Sequence, residues 1–205
     1  MSTIQDTMKQ RMSFGILGCD PGPTHTAAVY VFLVCDDDNQ YKVAEVIGTY
    51  FPNERVDDLQ RFFHSRESIY QLFLAVEICG AQFKMVGASV FDTAAMGGVV
   101  RHLCRPNVDG IYCMRSSEWR HALTGQGNAR APIVYDEIKR FFAPTGGGND
   151  PYKGIAAKPG PLWQMFEAGK GGNAEHLKDA LGCALGLTMV NFRSGQSPEQ
   201  YRRTW

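Results

Sequence analysis

The chain has 205 residues, 44% of them hydrophobic, and its 21 Lys and Arg are matched by 21 Asp and Glu. That is enough apolar material for one globular domain, and the neutral balance excludes a uniformly basic nucleic-acid binder. The longest apolar run, Ala27–Cys35, is the length of a strand, which excludes a membrane-spanning helix.

Charge is distributed unevenly. Residues 1–79 hold 6 Lys and Arg against 11 Asp and Glu, so the remainder holds 15 against 10, an asymmetry that permits a basic face. Six cysteines (Cys19, Cys35, Cys79, Cys104, Cys113 and Cys183) form no C-x-x-C pair and no Cys/His cluster. This argues against structural zinc and against a secreted disulfide scaffold, and predicts buried, reduced thiols.

In chain order, polar Met1–Met12 reads as a disordered leader without a signal-peptide core. Apolar Phe14–Asp20 reads as a strand that leads through Pro21-Gly22-Pro23 into a second strand, Ala27–Cys35. Asp36–Gln40 reads as a turn, and Tyr41–Tyr50 as a third strand, so the first three strands form an antiparallel meander. Helical spacing of Val56, Leu59, Phe62 and Phe63 predicts a helix over Glu54–Ser68 with Asn53 as its cap. Leu72–Glu77 is the fourth strand, and the intervening helix gives room to lay it parallel to the first. A helix over Val86–Cys104, a strand over Gly110–Met114, a helical piece from Ser116 and an amphipathic helix over Ala129–Phe142 follow. Residues 143–173 are rich in Gly and Pro and read as an insertion. The last helix, Ala174–Phe192, precedes a polar tail over 194–205. The expected architecture is α/β: a mixed five-stranded sheet flanked by helices, in one domain over 13–193.

Four side chains then carry the chemistry. Asp20 ends the first strand and Glu77 the fourth; His176 and Asp179 share one face of the last helix, three residues apart. Carboxylates at the ends of buried strands are costly unless something pairs with them. Adjacent strands lie about 4.8 Å apart, so two carboxylates there can serve one cation. Three carboxylates with an imidazole suit Mg2+, with Mn2+ as a substitute, bound partly through water and substrate phosphate. Two such ions at one site act on phosphodiesters. Asp20 is expected to bridge both, Glu77 and Asp179 to complete the shells, and His176 to ligate or to orient the water. Gly182 and Gly186 in the last helix predict its close approach to the sheet.

Asp20-Pro21-Gly22, Glu77 and His176-Leu177-Lys178-Asp179-Ala180-Leu181 together resemble the RuvC-type Holliday junction resolvases. So do Ser117-Glu118-Trp119-Arg120 and Gly125-Gln126-Gly127-Asn128-Ala129-Arg130. The resemblance implies an RNase H-like fold, a homodimer, and magnesium-dependent paired nicking of four-way DNA junctions that leaves 5′-phosphates and 3′-hydroxyls. It implies a carboxylate tetrad at Asp20, Glu77, His176 and Asp179, with His176 where many members have Asp. The expected setting is the cytoplasm of a bacterium or of a phage-infected host cell. Lys84, Arg115, Arg120, Arg130 and Lys178 are the phosphate-contact candidates. The small-residue helix with Ala94, Ala95, Gly97 and Gly98 is the candidate dimer face.

Three other readings bear on these residues. Asp20-Pro21-Gly22-Pro23-Thr24-His25-Thr26 can be read as the phosphate loop of an actin-like ATPase, but such proteins need two domains of this kind. Gly146-Gly147-Gly148 lacks the Lys-Ser/Thr of a P-loop. A phage-type nuclease acting broadly on branched DNA, and a junction-binding protein that no longer cuts, both keep the fold and change the selectivity or the chemistry.

Overall fold

A computed structural model describes residues 13–35, 41–64, 71–79, 87–142 and 172–192. Strands β1 (Ser13–Pro21), β2 (His25–Cys35) and β3 (Tyr41–Pro52) come first. A 3-10 turn (Asn53–Arg55), helix α1 (Asp58–His64), strand β4 (Leu72–Ile78), helix α2 (Ala88–Cys104) and a second 3-10 turn (Arg105–Asn107) follow. Strand β5 (Gly110–Arg115) and helices α3 (Ser116–Thr124), α4 (Ala131–Phe142) and α5 (Gly172–Phe192) complete the described elements. The leader, the 36–40 turn, the Gly/Pro-rich 143–171 stretch, Lys84 and the tail lie outside the described residues.

The strands form one sheet in the order β3-β2-β1-β4-β5. β1 runs antiparallel to β2, and β2 to β3, which is the meander expected from the sequence. β4 lies parallel to β1, and β5 parallel to β4. Among the described residues no helix is long and apolar enough to cross a membrane.

Alternation along the strands divides the core. Ile16 and Ala75 face one apolar cluster together with Leu181, Leu185 and Trp119. Leu17, Leu74 and Val76 face the other, with Leu59 of α1 and Val100 and Cys104 of α2. Each fully buried Leu or Ile contributes roughly 1.5–3 kcal/mol of transfer free energy. Helix α5 is buried from Ala180 through Thr188, as befits a segment apolar all round. It packs on β1, β2 and β4 on one side and on α3 and α4 on the other.

Several local expectations are revised. The region after β3 opens with a 3-10 turn and only reaches α-helical geometry at Asp58. Asn53 does not cap it. Instead its side chain accepts from Thr26 Oγ1 at 2.9 Å and donates to the Gly22 carbonyl at 3.1 Å, pinning the β1–β2 turn. Helix α4 begins at Ala131, with Pro132 in the first turn, where a missing N–H costs nothing. Cys19, Cys104, Cys113 and Cys183 are buried free thiols as expected, whereas Cys79, just past β4, is exposed.

Candidate active site

The parallel pairing of β1 with β4 puts Cys19 opposite Val76, so the next residues, Asp20 and Glu77, stand side by side at the carboxyl ends of both strands. Both share a sheet face with Ile16 and Ala75, the face that α5 covers. Gly18 brings the helix down onto it: a Cβ there would run into the carbonyl oxygen of Ala180. With Ala180 seated against β1, the preceding helical turn delivers His176 and Asp179 to the strand ends.

His176 Nδ1 lies 2.6 Å from Asp20 Oδ2, with the Asp20 side chain 13% and the His176 side chain 43% exposed. A carboxylate accepts only, so this bond assigns the proton to Nδ1 and leaves Nε2 with the lone pair when the ring is neutral. The same bond to Asp20 raises the His176 pKa above its ordinary 6.5, against the opposing effect of burial. The imidazole is also the end of a column of rings. Its centroid is 6.0 Å from that of Tyr50, which stacks at 5.0 Å on His25.

Glu77 is pushed up from 4.5 to about 8, first by burial and then by the charges of Asp20 and Asp179. Trp119 opposes this, its indole Nε1–H donating to Glu77 Oε2 at 2.8 Å. Burial and Asp20 likewise raise Asp179 from 3.8 to about 6, against the pull of Arg120, whose Nη2 lies 3.7 Å from Asp179 Oδ1. One guanidinium therefore faces a cluster whose negative charge exceeds what it neutralises. Protons or a further cation must make up the difference.

All four residues singled out from the sequence are thus brought together. Among the described residues, no group of three or more His, Cys, Asp or Glu side chains is placed so that it could hold a metal ion without rearranging. The donors themselves fit a hard divalent ion: three carboxylates and an imidazole, with Asp20, Glu77 and Asp179 mutually repelling. Such a set suits ions that complete their shells with water and substrate oxygen.

The basic candidates fare differently. Arg115 is exposed at the start of α3, its Nη1 4.0 Å from Glu118 Oε1, and Arg130 is exposed before α4. Arg120 is turned into the site, with its Cζ 5.1 Å from the Trp119 ring centroid. Lys178 places its ammonium 4.8 Å from the Tyr135 ring. The α2 face is also redrawn: Ala94 and Ala95 are exposed, but Gly97 is buried, 3.9 Å from Pro21 by its would-be Cβ.

Sequence reasoning passed over Trp119, Tyr50 and His25. Trp119 had a signal in the two glycines of α5 four residues apart, which form a slot for a large ring. Nothing local ties Tyr50 to His176, because that contact depends on how α5 crosses the sheet. The slot is the actual use of Gly182 and Gly186, which face Trp119, while the close helix–sheet approach is made at Gly18.

No family model matches the chain, and no curated protein does. Solved structures do. The structure of RuvC from Thermus thermophilus aligns over 88% of this chain and 97% of its own, at 17% identity and a TM-score of 0.55. The same protein in complex with Holliday junction substrate aligns over 86% and 93%, at 17% identity and a TM-score of 0.52. The yeast mitochondrial Holliday junction resolvase Ydc2 aligns over 91% and 83%, at 11% identity and a TM-score of 0.43. The fold is the RNase H-like fold of the RuvC-type resolvases.

Proposed function

We propose that this protein is a metal-dependent endonuclease that resolves four-way (Holliday) DNA junctions in recombination and repair. It cuts by paired symmetric nicks that leave 5′-phosphate and 3′-hydroxyl ends. The observation that carries this reading is the meeting of Asp20, Glu77, His176 and Asp179, from three separate elements, on a fold shared with a protein solved on junction DNA.

Asp20, Glu77, His176 and Asp179 would hold two Mg2+ ions, or Mn2+ in their place. When bound, such ions supply an acidified water and neutralise charge on the leaving 3′ oxygen. Asp20 sits between Glu77 and His176 and would be the ligand best placed to serve such ions together with either neighbour. Glu77 and Asp179, both raised by burial and neighbouring carboxylates, would give up their protons with such ions bound. His176, held through Nδ1 by Asp20, presents Nε2 as the atom able to ligate or to take a proton from water. Arg120 keeps Asp179 oriented and adds positive charge where a phosphate must approach. Arg115, Arg130, Lys178 and Lys84 are the further phosphate contacts in this reading.

A four-way junction has two-fold symmetry, which a C2 dimer with two sites matches. The exposed side of α2 supports that arrangement. It carries Phe91 at 66% and Val99 at 39% exposure beside Ala94 and Ala95, small and apolar enough for close approach to its own copy.

The test is incubation with a labelled synthetic junction, with and without Mg2+ or Mn2+, beside fork, flap and linear duplex. Metal-dependent symmetric nicks confined to the junction are expected. Equal cutting of the other branched forms would widen the activity to branched DNA in general. Binding with no cutting in either metal would leave a junction-binding protein.

A further inference from the structure

Glu77 owes its orientation to a residue from the core. Trp119 is fully buried, and a buried indole N–H needs an acceptor. The acceptor here is a carboxylate of the candidate site, Glu77 Oε2 at 2.8 Å, where a backbone carbonyl would have served stability equally well. The seat of the ring is specific. A Cβ on Gly182 would lie 2.5 Å from the indole Cζ3, and one on Gly186 would lie 2.7 Å from Trp119 Cβ. Each glycine costs about 1 kcal/mol of helix propensity relative to alanine. Two of them four apart line one face of α5 and leave the indole a single place to lie.

The contact therefore joins three elements: α3 supplies the ring, α5 the slot and β4 the carboxylate. The residue after Trp119 extends the arrangement. Arg120 reaches Asp179 of α5 at 3.7 Å while its Cζ lies 5.1 Å from the Trp119 ring centroid. Two consecutive residues of α3 thus hold two of the three carboxylates. An unanchored glutamate samples many rotamers, and fixing it on ligand binding costs up to roughly 2 kcal/mol of side-chain entropy. With Oε2 held by the indole, much of that ordering is in place beforehand.

We propose that Trp119 is a positioning residue for divalent-cation binding: its indole N–H fixes the Glu77 carboxylate in the orientation in which it ligates. The inference rests on the reading of Glu77 as a metal ligand. Beyond that reading, it assigns a task to a residue that packing alone would make only a core aromatic.

The test uses the full chain without DNA, with Mn2+ as the probe and the rise in melting temperature as the readout. The variants are Trp119→Phe and a protein carrying 3-benzothienylalanine at position 119, which keeps the ring shape and replaces N–H by sulfur. In both, the half-saturating Mn2+ concentration should rise about 10-fold or more, as for other groups that orient a metal ligand. Cleavage should recover at saturating metal. A role in packing alone predicts a lower melting temperature without metal and an unchanged half-saturation, and that result overturns the inference. Should Trp119→Phe not fold, the isosteric variant decides by itself. Glu77→Gln, run alongside, separates the two levels. If it abolishes the Mn2+ response while both Trp119 variants keep the wild-type half-saturation, only the inference fails. If it too responds like the wild type, Glu77 is no ligand and both readings fall.

Discussion

Replacing Glu77 by glutamine removes a negative charge from a crowded corner and keeps an oxygen for the Trp119 indole to donate to. The folded protein holds a proton on Glu77 up to about pH 8, whereas the unfolded chain releases it near the ordinary 4.5. Between those values the native state binds more protons than the unfolded state. Wild-type stability therefore falls as pH rises through that window and levels off above it. At about 1.4 kcal/mol per pH unit, and allowing for charge shared with Asp20 and Asp179, the cost near pH 8 is on the order of 3 kcal/mol. Asp179, raised to about 6, and His176, raised from 6.5, act in the same sense. In metal-free buffer Glu77→Gln should match the wild type at about pH 5, where glutamate is protonated in the fold. By pH 8 it should melt roughly 5–10 °C higher. Differential scanning calorimetry across this range, with chelator present, reads the effect directly. A melting difference that does not change with pH, or a variant less stable than wild type at alkaline pH, would refute the argument that charge crowding governs this corner. Added Mn2+ should restore most of the deficit to the wild type and little to the variant.

Asp20→Asn and Asp179→Asn should each lower cleavage of a labelled junction by roughly a hundredfold or more while gel-shift affinity survives; full activity in either purified variant would remove that residue from the site. Gly18→Ala should destabilise the protein by about 1–3 kcal/mol in urea unfolding, because the added methyl meets the Ala180 carbonyl and not a flexible side chain. It should also slow cutting by lifting His176 and Asp179 from the strand ends. Phe91→Glu on α2 should leave folding intact but yield a monomer by light scattering, with unpaired nicks in place of symmetric ones.

Much of this was legible in the residues because the signals are local or periodic. Apolar runs closed by acids gave β1 and β4, and the crossover length gave their parallel pairing. The i, i+3 spacing of His176 and Asp179 put both on one helix face. What escaped depends on how elements pack. Asn53 has the composition of a helix cap, yet its side chain is committed to Thr26 and Gly22 across the β1–β2 turn, a contact no window of sequence contains. Gly182 and Gly186 announced a close approach without naming the partner, and the partner proved to be Trp119. Arg120 read only as a candidate phosphate contact, because charge alone does not reveal the partly buried carboxylate of Asp179 opposite it. Gly97 read as part of an outward face for a like reason: small residues on both sides of α2 look the same in one dimension.

The seating of α5 on Gly18 also fixes when the candidate site is complete. Asp20 and Glu77 emerge early in synthesis, but His176 and Asp179 leave the ribosome more than ninety residues after Glu77. Under the proposed function, the nascent polypeptide would hold half a set of ligands until that segment docks. A nuclease built this way would be born inert and armed only by the completion of its own fold.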